Sequence, residues 1–567
     1  MLKKALKQYS IASLIVVGVL VWSLTMIRSG LKYSFGVGYW GANGHDGVWH
    51  LALAESLVRG SFDNPVFSGS VLQNYHLGFD LLLALINQVT KIPINYLYFQ
   101  ILPPIFAFLI GLLVYLFVLN WRGSKGEALW ATFFVYFSSS FGFIITFLRD
   151  GIFSGESMFW SQQSTSTLVN PPFALSLIFI LSGLIFLQKY QKSYSLLHMA
   201  YSIIFFGLLI QIKAYAAILV LLGLFISGVY AYILHHTSDI LKVFMGSLFL
   251  NLLIYFLTKS SVSGVFIWQP FWYLETMMSY SDRLGWERFY SAMTTYKMGN
   301  IWFKEILAYS VALAIFLIGN MGTRIIGFYF LIKTKFDEIL IFILTIALVG
   351  FLIPVFFVQN GTPWNTIQFF YYYLFFFSIF AGIVTSWLNK SIKIVIVILA
   401  AIGAWTTLQH YLPKMPQAFV SNDEIEALDY LEKQSDGIVL TYPFDEHKAK
   451  EAIKNPPRPL YFYDSTSYVS AFSKKQVFLE DEVNLNIMGY DWKSRRKDVL
   501  LFISTLDIED ARQFLNLNNI KYLYLVKENS PLQGELLKLG PTELGLSKIF
   551  ENKVSIIYQY DTNFGGN

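Results

Sequence analysis

The sequence predicts an α-helical, multi-pass membrane protein that ends in a smaller α/β domain. Its 567 residues are 55% hydrophobic and only 14% charged, whereas soluble domains have about 25% charged residues. Apolar runs of bilayer length recur up to about residue 411 and then stop. We therefore expect a transmembrane domain over residues 1–411 and an extracytoplasmic α/β domain over residues 412–567.

The apolar runs predict about eleven membrane spans of about 20 residues each. The first follows a basic start and lacks a small-x-small cleavage site, so we expect a retained span and not a removed signal peptide. The predicted spans cover residues 11–28, 97–121, 127–147, 172–189, 196–212, 214–234, 242–258, 303–331, 337–358, 367–388 and 391–411.

Basic residues in the short loops predict the orientation, because lysine and arginine concentrate on the cytoplasmic side. With a cytoplasmic N-terminus, every predicted inner loop carries such residues, and the C-terminal domain falls outside the cell membrane. The residues that support this orientation are Lys3, Lys4, Lys7, Arg122, Lys125, Lys189, Lys192, Lys242, Lys333, Lys335, Lys390 and Lys393.

The run "LGFDLLLALINQVT", residues 77–90, is short for a crossing and contains Asp80. If it crossed, Arg122 and Lys125 would fall outside, so we expect an interfacial helix instead. The first outer loop, residues 29–95, then holds two surface helices, which begin near Asp46 and near His76.

The C-terminal region shows the patterns of a soluble domain. Ser421 and Glu424 have the spacing of a capping box at the start of a helix. A second helix is expected in "IEDARQFLNLNN". Four runs are typical of strands, namely "GIVLTY", "KQVFLE", "IKYLYLV" and "VSIIYQY".

The stretch "GANGHDGVWH", residues 41–50, places two histidines around an acidic residue just after the first span. A helix that starts near Asp46 brings Asp46 and His50 onto one face. Asp46 could simply be an N-cap, with histidines at the interface. The alternative is a polar, functional cluster. The apolar side chains of the same helix, such as Trp49 and Leu53, are expected to lie on lipid or on the spans.

Two elements of the first outer loop resemble the GT-C superfamily of membrane glycosyltransferases, which includes protein mannosyltransferases and lipid A aminoarabinose transferases. "GHDGVWHLALAESLVRG" matches their acidic or His-Asp motif on a first surface helix, and "NYHLGFDLLLALI" matches the start of a second. The resemblance covers residues 1–410. It implies a polyprenyl-phosphate-linked sugar as donor, an extracytoplasmic glycan, lipid or protein as acceptor, and substrate contacts from Tyr75 and His76.

The chain departs from that family at two points. The prolines usual after the second motif are replaced by "YHLGF", and Asn170 stands where many relatives have an acidic residue. Asp150 and Glu156 are the candidates for a second carboxylate. No cofactor follows with certainty. A divalent metal remains open, but the sequence identifies no set of metal ligands.

Sugar transfer with inversion needs a base that takes the proton of the acceptor hydroxyl. We assign this role to Asp46, with His45 as the assisting catalytic residue. His50 is expected to contact substrate, as an imidazolium that binds phosphate or as a partner of the base.

Two further polar sites interrupt the spans. "QIKAYA" places Lys213 at the tip of a helical hairpin, where it either snorkels or binds the donor phosphate. "VQNGTPWNTIQFFYYY" offers Trp364 as a stacking face and Asn365 and Gln368 as hydrogen-bond donors. The alternative for this second site is an interfacial turn in an aromatic belt.

Other functional classes are weaker. The sequence has no cysteine, P-loop, GxSxG or HExxH motif, and its net charge of +5 reflects loop topology and not nucleic-acid binding. A transporter or flippase would place ionisable residues inside the membrane, whereas here the polar sites are all predicted on one side. A non-catalytic protein of cell-envelope assembly is the third possibility. Membrane lipids are expected partners in every case.

Overall fold

The computed structural model describes residues 2–257, 266–532 and 535–561, without the side chains of residues 2–9 and 257. Residue 258 of the predicted span 242–258, residues 259–265 of the loop after it, and the side chains of Lys3, Lys4 and Lys7 lie outside this description. The chain forms two compact units: Met1–Thr25 with Leu102–Leu412, called unit 1, and Met26–Ile101 with Pro413–Asn567, called unit 2.

Unit 1 is helical and accounts for most of the predicted spans. Among the described residues, eight helices are long and apolar enough to cross a membrane, and a ninth results if the bent pair Lys125–Phe137 and Gly142–Asp150 is one span. Two of these eight spans begin earlier than the α-helices they contain: one span starts at Ile94 and the other at Pro363. The multi-pass helical fold is thereby confirmed, while the number of eleven spans stays a prediction. The helices of unit 1 are Leu2–Ser23, Leu102–Arg122, Lys125–Phe137, Gly142–Asp150, Pro171–Ser193, Leu196–Gly207, Leu209–Ile212, Ala214–His235, Asp239–Leu257, Trp272–Ser279, Glu287–Met298, Trp302–Met321, Phe328–Lys333, Glu338–Phe356, Ile367–Trp387 and Lys390–Tyr411.

Polar side chains define where several spans begin. The side chain of Asn170 accepts a hydrogen bond from the backbone N–H of Phe173 at 3.1 Å, directly before Pro171 at the first helical position. Asp337 and Asn389 cap the helices that follow them in the same way. These residues satisfy N–H groups that a helix leaves without partners at its N-terminus.

Unit 2 combines the first loop of the chain with the C-terminal region. The two helices expected in the first loop are present as Asp46–Val58 and Gly78–Thr90, and we call them the first and second surface helix. The capping box of Ser421 and Glu424 is confirmed. The other helices of this unit are Ile94–Tyr96, Asn422–Glu432, Glu446–Ala452, Tyr468–Ser473, Glu482–Met488, Trp492–Ser504 and Ile508–Leu517.

Two sheets organise unit 2. In the first, Ile438–Leu440 runs parallel to Ile520–Val526, which pairs antiparallel with Ser555–Tyr560, and Leu546–Glu551 forms the other edge. The second sheet joins strands from both parts of the unit in the order Lys32–Tyr33, Gly36–Tyr39, Ala418–Ser421 and Arg458–Pro459. The α/β character of the C-terminal region is confirmed.

The predicted strand "KQVFLE", residues 475–480, is wrong as a sheet strand. It makes one isolated bridge, between Val477 and Val439. Two of its N–H groups bind the first loop, since Val477 donates to the carbonyl of Pro65 at 2.8 Å and Glu480 to that of Val66 at 3.0 Å. The segment is extended as its composition predicts, but it links two parts of unit 2 and does not extend a sheet.

The core of unit 2 corrects the expected environment of the first surface helix. Trp49 and Leu53 do not face lipid or the spans; they are buried with Leu440, Leu523 and other side chains of the C-terminal region. Burial of such large apolar side chains contributes about 1.5–3 kcal/mol each. The first surface helix is therefore held by the α/β region, which fixes the position of the residues at its N-terminus.

Candidate active site

The glycines of "GANGHDG" shape the backbone that carries the site. Gly41 has a φ of +61°, a conformation that side chains other than glycine rarely adopt. A Cβ at Gly47 would lie 2.6 Å from the ring of Phe99, so this glycine lets the first surface helix approach that ring closely. The short 3₁₀ turn Gly41–Gly44 then leads directly into the helix at His45 and Asp46.

Asp46 is the first residue of the helix and not its N-cap. The N-cap position belongs to His45, which makes no side-chain capping bond. A carboxylate in the first turn still gains from the helix dipole, by about 0.3–1 kcal/mol. The side chain of Asp46 is 53% exposed, so a substrate group can reach it. Asp46 thus stands at the first helical position, one residue after the cap.

His45 connects Asp46 to a carboxylate of the C-terminal region. Its Nδ1 lies 2.8 Å from Oδ1 of Asp46, and its Nε2 lies 3.4 Å from Oδ1 of Asp481. Burial alone would lower the pKa of His45, but the charges of Asp481 and Asp46 raise this pKa well above its usual value. The ring has one carboxylate near each nitrogen, and both carboxylates favour its charged form.

Asp481 and Asp464 are site residues that the sequence analysis missed. Asp481 is completely buried and accepts hydrogen bonds from the backbone N–H and the side-chain amide of Asn484, at 3.0 and 2.9 Å. Burial raises the pKa of Asp464, and the nearby charge of His45 partly opposes this rise. The acidic run "EDE" at residues 480–482 is the only signal in the sequence, and it does not indicate which loop it contacts.

A second histidine–aspartate pair lies on the same helix but inside the protein. Nδ1 of His50 is 2.7 Å from Oδ1 of Asp80, which is fully buried on the second surface helix. The His50 ring packs between Phe79 and Tyr98. This arrangement links the two surface helices, and it favours a positioning role for His50; the predicted contact of His50 with substrate stays a prediction.

Tyr75 and His76 lie beside this pair, with ring centroids 4.8 Å apart. Tyr75 also packs edge-on against Trp49. Burial and the negative charges of Asp80 and Asp46 raise the pKa of Tyr75 well above its usual value. Both residues are half-buried, and their role in binding substrate stays a prediction.

The polar residues predicted in the spans form a separate cluster inside unit 1. Asn365 donates to the Tyr215 hydroxyl at 3.0 Å and to Oε1 of Gln359 at 2.9 Å. Gln368 donates to Asn365 and accepts from Asn170 at 3.3 Å. The ammonium of Lys213, a buried residue, lies 5.6 Å from the centre of the Tyr215 ring.

Tyr215 connects Lys213 to this cluster, because the Lys213 ammonium lies near its ring and Asn365 donates to its hydroxyl. Trp364 lies beside Asn365 in the chain and is 51% exposed, so part of its ring surface is open for stacking. Of the candidates for a second carboxylate, Asp150 pairs with the adjacent Arg149, and Glu156 accepts from Thr407 at 2.7 Å and from Ser166. Both therefore have partners within unit 1.

The described side chains do not fit a divalent metal. Over the described ranges, no three or more His, Cys, Asp or Glu side chains are grouped so that they could hold a metal ion. At the site, the His45 ring stands between an oxygen of Asp46 and an oxygen of Asp481. We derive no step through a metal.

Comparison with known proteins gives a fold and no closer relative. No protein-family model matches the sequence, and no curated protein matches it. Among solved structures, the chain is similar to the oligosaccharyltransferase AglB of the archaeon Archaeoglobus fulgidus in complex with an inhibitory peptide and a dolichol-phosphate. That match has a TM-score of 0.50 at 13% identity and covers 98% of this chain and 74% of the other.

Two more structures complete the comparison. The apo form of the same Archaeoglobus fulgidus oligosaccharyltransferase matches with a TM-score of 0.50 at 12% identity, over 92% of this chain and 70% of the other. ArnT from Cupriavidus metallidurans, bound to undecaprenyl phosphate, covers 98% of this chain and 99% of its own at 11% identity, but its TM-score of 0.37 is too low to support a common fold by itself.

Proposed function

We propose that the chain is a membrane glycosyltransferase of the GT-C type, and the support is the fold it shares with the archaeal oligosaccharyltransferase together with the resemblance of its first outer loop to that superfamily. It transfers a hexosyl or pentosyl unit from a polyprenyl-phosphate-type lipid to an extracytoplasmic glycan, lipid or protein. Support for the lipid donor comes from the archaeal oligosaccharyltransferase, whose structure contains a dolichol-phosphate.

The observation that carries the proposal is the contact of His45 with Asp46 on one side and Asp481 on the other. In the reaction, the carboxylate of Asp46 takes the proton of the acceptor hydroxyl while the hydroxyl oxygen attacks the anomeric carbon. The bond from that carbon to the phosphate oxygen breaks, and its electron pair leaves with the lipid phosphate. His45 holds the carboxylate in place, and Asp481 holds His45.

The leaving phosphate needs a cation or hydrogen-bond donors. We assign this role to Lys213, with Asn365 and Gln368 as neighbouring amides and Trp364 as the sugar-stacking ring. Their convergence within unit 1 supports a common role. Lys213→Gln should weaken the use of donor without loss of fold, because glutamine keeps hydrogen-bonding capacity and removes only the charge. Equal donor use by this variant and the wild type would remove Lys213 from the proposal.

We place the site on the extracytoplasmic face of the cell membrane, with a cytoplasmic N-terminus, from the distribution of basic residues. Because the chain has no cysteine, single cysteines report accessibility directly. Gln73, Lys125 and Lys450 are exposed and suit this purpose. An impermeant thiol reagent should label positions 73 and 450 in intact cells and spare position 125. Labelling of position 125 alone would show that the protein has the opposite orientation.

Transport is the main alternative function, and the environment of one buried cation helps to decide between the two functions. Arg324 lies in the candidate span Trp302–Lys333 and is 1% exposed. Its guanidinium donates to the hydroxyls of Ser378 and Ser164 at 3.0 and 2.8 Å, and to backbone carbonyls. These bonds connect the guanidinium to the neighbouring helices. Such contacts are expected of an arginine that stabilises the packing of helices and not of one that lines a transport path.

The test is transfer of labelled sugar in membranes that contain the protein and a panel of polyprenyl-phosphate sugars. Asp46→Asn should express normally and lose transfer by about 10²–10⁴-fold, because an amide does not accept the proton. Glu55→Gln is the matched control on the same helix: Glu55 lies 3.8 Å from Lys474 and takes no part in the reaction. Near-normal transfer by Asp46→Asn, or equal loss in both variants, would contradict the assignment.

A further inference from the structure

Two side chains of the C-terminal region hold both backbone groups of Gly41, the first residue of the turn that leads to His45. The hydroxyl of Tyr463 donates to the carbonyl of Gly41 at 3.0 Å. Oε1 of Gln417 accepts from the N–H of Gly41 at 2.9 Å. All four residues belong to unit 2. The turn before the proposed base is therefore fixed by residues more than 370 positions away in the sequence.

The ring of Tyr463 also packs closely against this turn. A Cβ at Gly44 would lie 3.2 Å from the ring, so the backbone just before His45 runs in contact with it. The guanidinium of Arg458 lies 4.7 Å from the centre of the same ring and donates to the carbonyl of Tyr463 at 3.3 Å. Because these contacts restrict both the ring and the backbone of Tyr463, its hydroxyl meets Gly41 in a defined position.

Residues 463–465, which we call the bridging segment, also reach the other side of the histidine. Oγ of Ser465 accepts from the backbone N–H of Glu482 at 2.9 Å. Glu482 follows Asp481, whose Oδ1 lies 3.4 Å from Nε2 of His45. The bridging segment thus connects the turn that precedes His45 with the carboxylate at the far nitrogen of the same ring.

Three carboxylates act on the His45 ring. Burial opposes its charged form, but Asp481 and Asp46 outweigh burial and raise the pKa of His45. Burial raises the pKa of Asp464 in the bridging segment, and the charge of His45 partly opposes this rise, so the third carboxylate also lies near the ring. Because Coulomb interactions depend on distance, a displacement of the turn relative to these carboxylates would change the pKa of His45.

We propose that Tyr463 is a positioning residue of the active site, which fixes the turn Gly41–Gly44 so that His45 keeps its contacts with Asp46 and Asp481. The inference rests on the proposed function, because it concerns the placement of the base Asp46. Tyr463 acts through the backbone of the turn and takes no part in the proton transfer. Burial raises the pKa of Tyr463 to about 12, so its hydroxyl keeps the proton for this hydrogen bond under assay conditions.

Tyr463→Phe removes one hydroxyl and keeps the ring. Because the base acts in the transition state, its displacement should lower kcat per folded molecule about tenfold or more and leave KM for the donor nearly unchanged. A purely structural role would instead lower the unfolding temperature and leave kcat per folded molecule as it is. The measurements are transfer of labelled sugar and thermal unfolding of the same purified, full-length protein.

Tyr490→Phe is the matched control. The Tyr490 hydroxyl also joins the C-terminal region to the first loop, since it donates to the carbonyl of Val71 at 2.7 Å and accepts from the N–H of Gln73 at 3.1 Å. Neither partner belongs to the turn or to the first surface helix. This variant should therefore keep its kcat per folded molecule, although it loses two hydrogen bonds. An unchanged kcat in Tyr463→Phe, or equal losses in both variants, would overturn the proposal.

A second readout needs no activity, because it follows the pKa of His45. The stability that the charged ring contributes is lost as the pH rises through its folded pKa. When Tyr463→Phe loosens the contacts with Asp46 and Asp481, this pKa should fall towards its ordinary 6.5, and the contribution should be lost at a lower pH than in the wild type.

The corresponding measurement is the difference in unfolding temperature between each protein and its His45→Gln counterpart, from about pH 6 to about pH 10. The wild type, Tyr463→Phe and Tyr490→Phe are compared. Only Tyr463→Phe should show the shift to lower pH. An identical pH dependence in all three proteins would refute the positioning role.

The two proposals fail in different ways. Loss of transfer in Asp46→Asn, together with full kcat and an unshifted pH dependence in Tyr463→Phe, would leave the glycosyltransferase standing and remove Tyr463 from its site. A pH shift that only Tyr463→Phe shows, without any transfer by the wild type, would contradict the proposed function and keep Tyr463 as the residue that positions His45.

Discussion

The first surface helix and its N-cap supply two histidines, and each lies next to an aspartate in a different environment. His45 and Asp46 lie at its exposed N-terminus, where the Asp46 side chain is 53% exposed, while His50 bonds to an Asp80 side chain that is 0% exposed. The outer pair can meet a substrate. The inner pair connects two helices. Access and the neighbouring carboxylates therefore distinguish the pair that we propose for the chemistry from the pair that holds the helices together.

The strongest effect on stability should come from the inner pair. Asp80→Ala leaves the buried His50 ring without the carboxylate it contacts, and a buried polar group that loses its hydrogen-bond partner costs about 1–3 kcal/mol. We expect a large fall in the unfolding temperature of the detergent-solubilised protein. Asp46→Ala should change it far less, because Asp46 is open to water. Equal destabilisation by both variants would break the distinction between the pairs.

A smaller effect is expected on turnover when the outer histidine is changed. His45→Gln keeps a hydrogen bond to Asp46 but removes the positive charge between Asp46 and Asp481. Loss of a charge-assisted hydrogen bond corresponds to about 1.5–3 kcal/mol, or roughly 10–100-fold in rate. The fold should persist, because Asp481 retains its bonds from Asn484. The measurement is kcat at saturating donor, and an unchanged kcat would remove His45 from the mechanism.

The smallest effect is a dependence of stability on pH that His45 of the outer pair should contribute. The pKa of His45 is raised in the folded protein above its ordinary 6.5, so the folded state holds this proton more tightly than the unfolded state. Its contribution to stability is complete below pH 6.5 and is lost as the pH rises through the folded pKa. The difference in unfolding temperature between wild type and His45→Gln should therefore shrink on going from pH 6 to about pH 10. A constant or growing difference would contradict the charged ring.

Local signals made much of the fold predictable. Apolar runs gave the helices of unit 1, the spacing of Ser421 and Glu424 gave a capped helix, and the run from Ile520 to Val526 gave a strand, because each depends on neighbouring residues only. The stretch around His45 and Asp46 was recognisable as a candidate site for the same reason. In each case the residues that matter lie within one turn or one strand of each other.

Long-range pairings were not predictable. Nothing in the sequence joins Asp481 to His45, since that contact depends on how residues 26–101 pack with the C-terminal region. Trp49 and Leu53 show the same limit: their spacing predicts an apolar face, but not that the α/β region covers it. Asp80 appeared only as a charge in an apolar helix until the structure paired it with His50.

The most direct test compares Asp46→Asn with Asp80→Asn in two measurements on the same purified samples, kcat per folded molecule and unfolding temperature. The account predicts opposite outcomes. Asp46→Asn should unfold within a few degrees of wild type and lose about 10²–10⁴-fold in kcat, while Asp80→Asn should unfold at a clearly lower temperature and keep most of its kcat per folded molecule. A stable Asp46→Asn protein with near-normal kcat, or an Asp80→Asn protein that is stable and inactive, would contradict the assignment of chemistry to the outer pair.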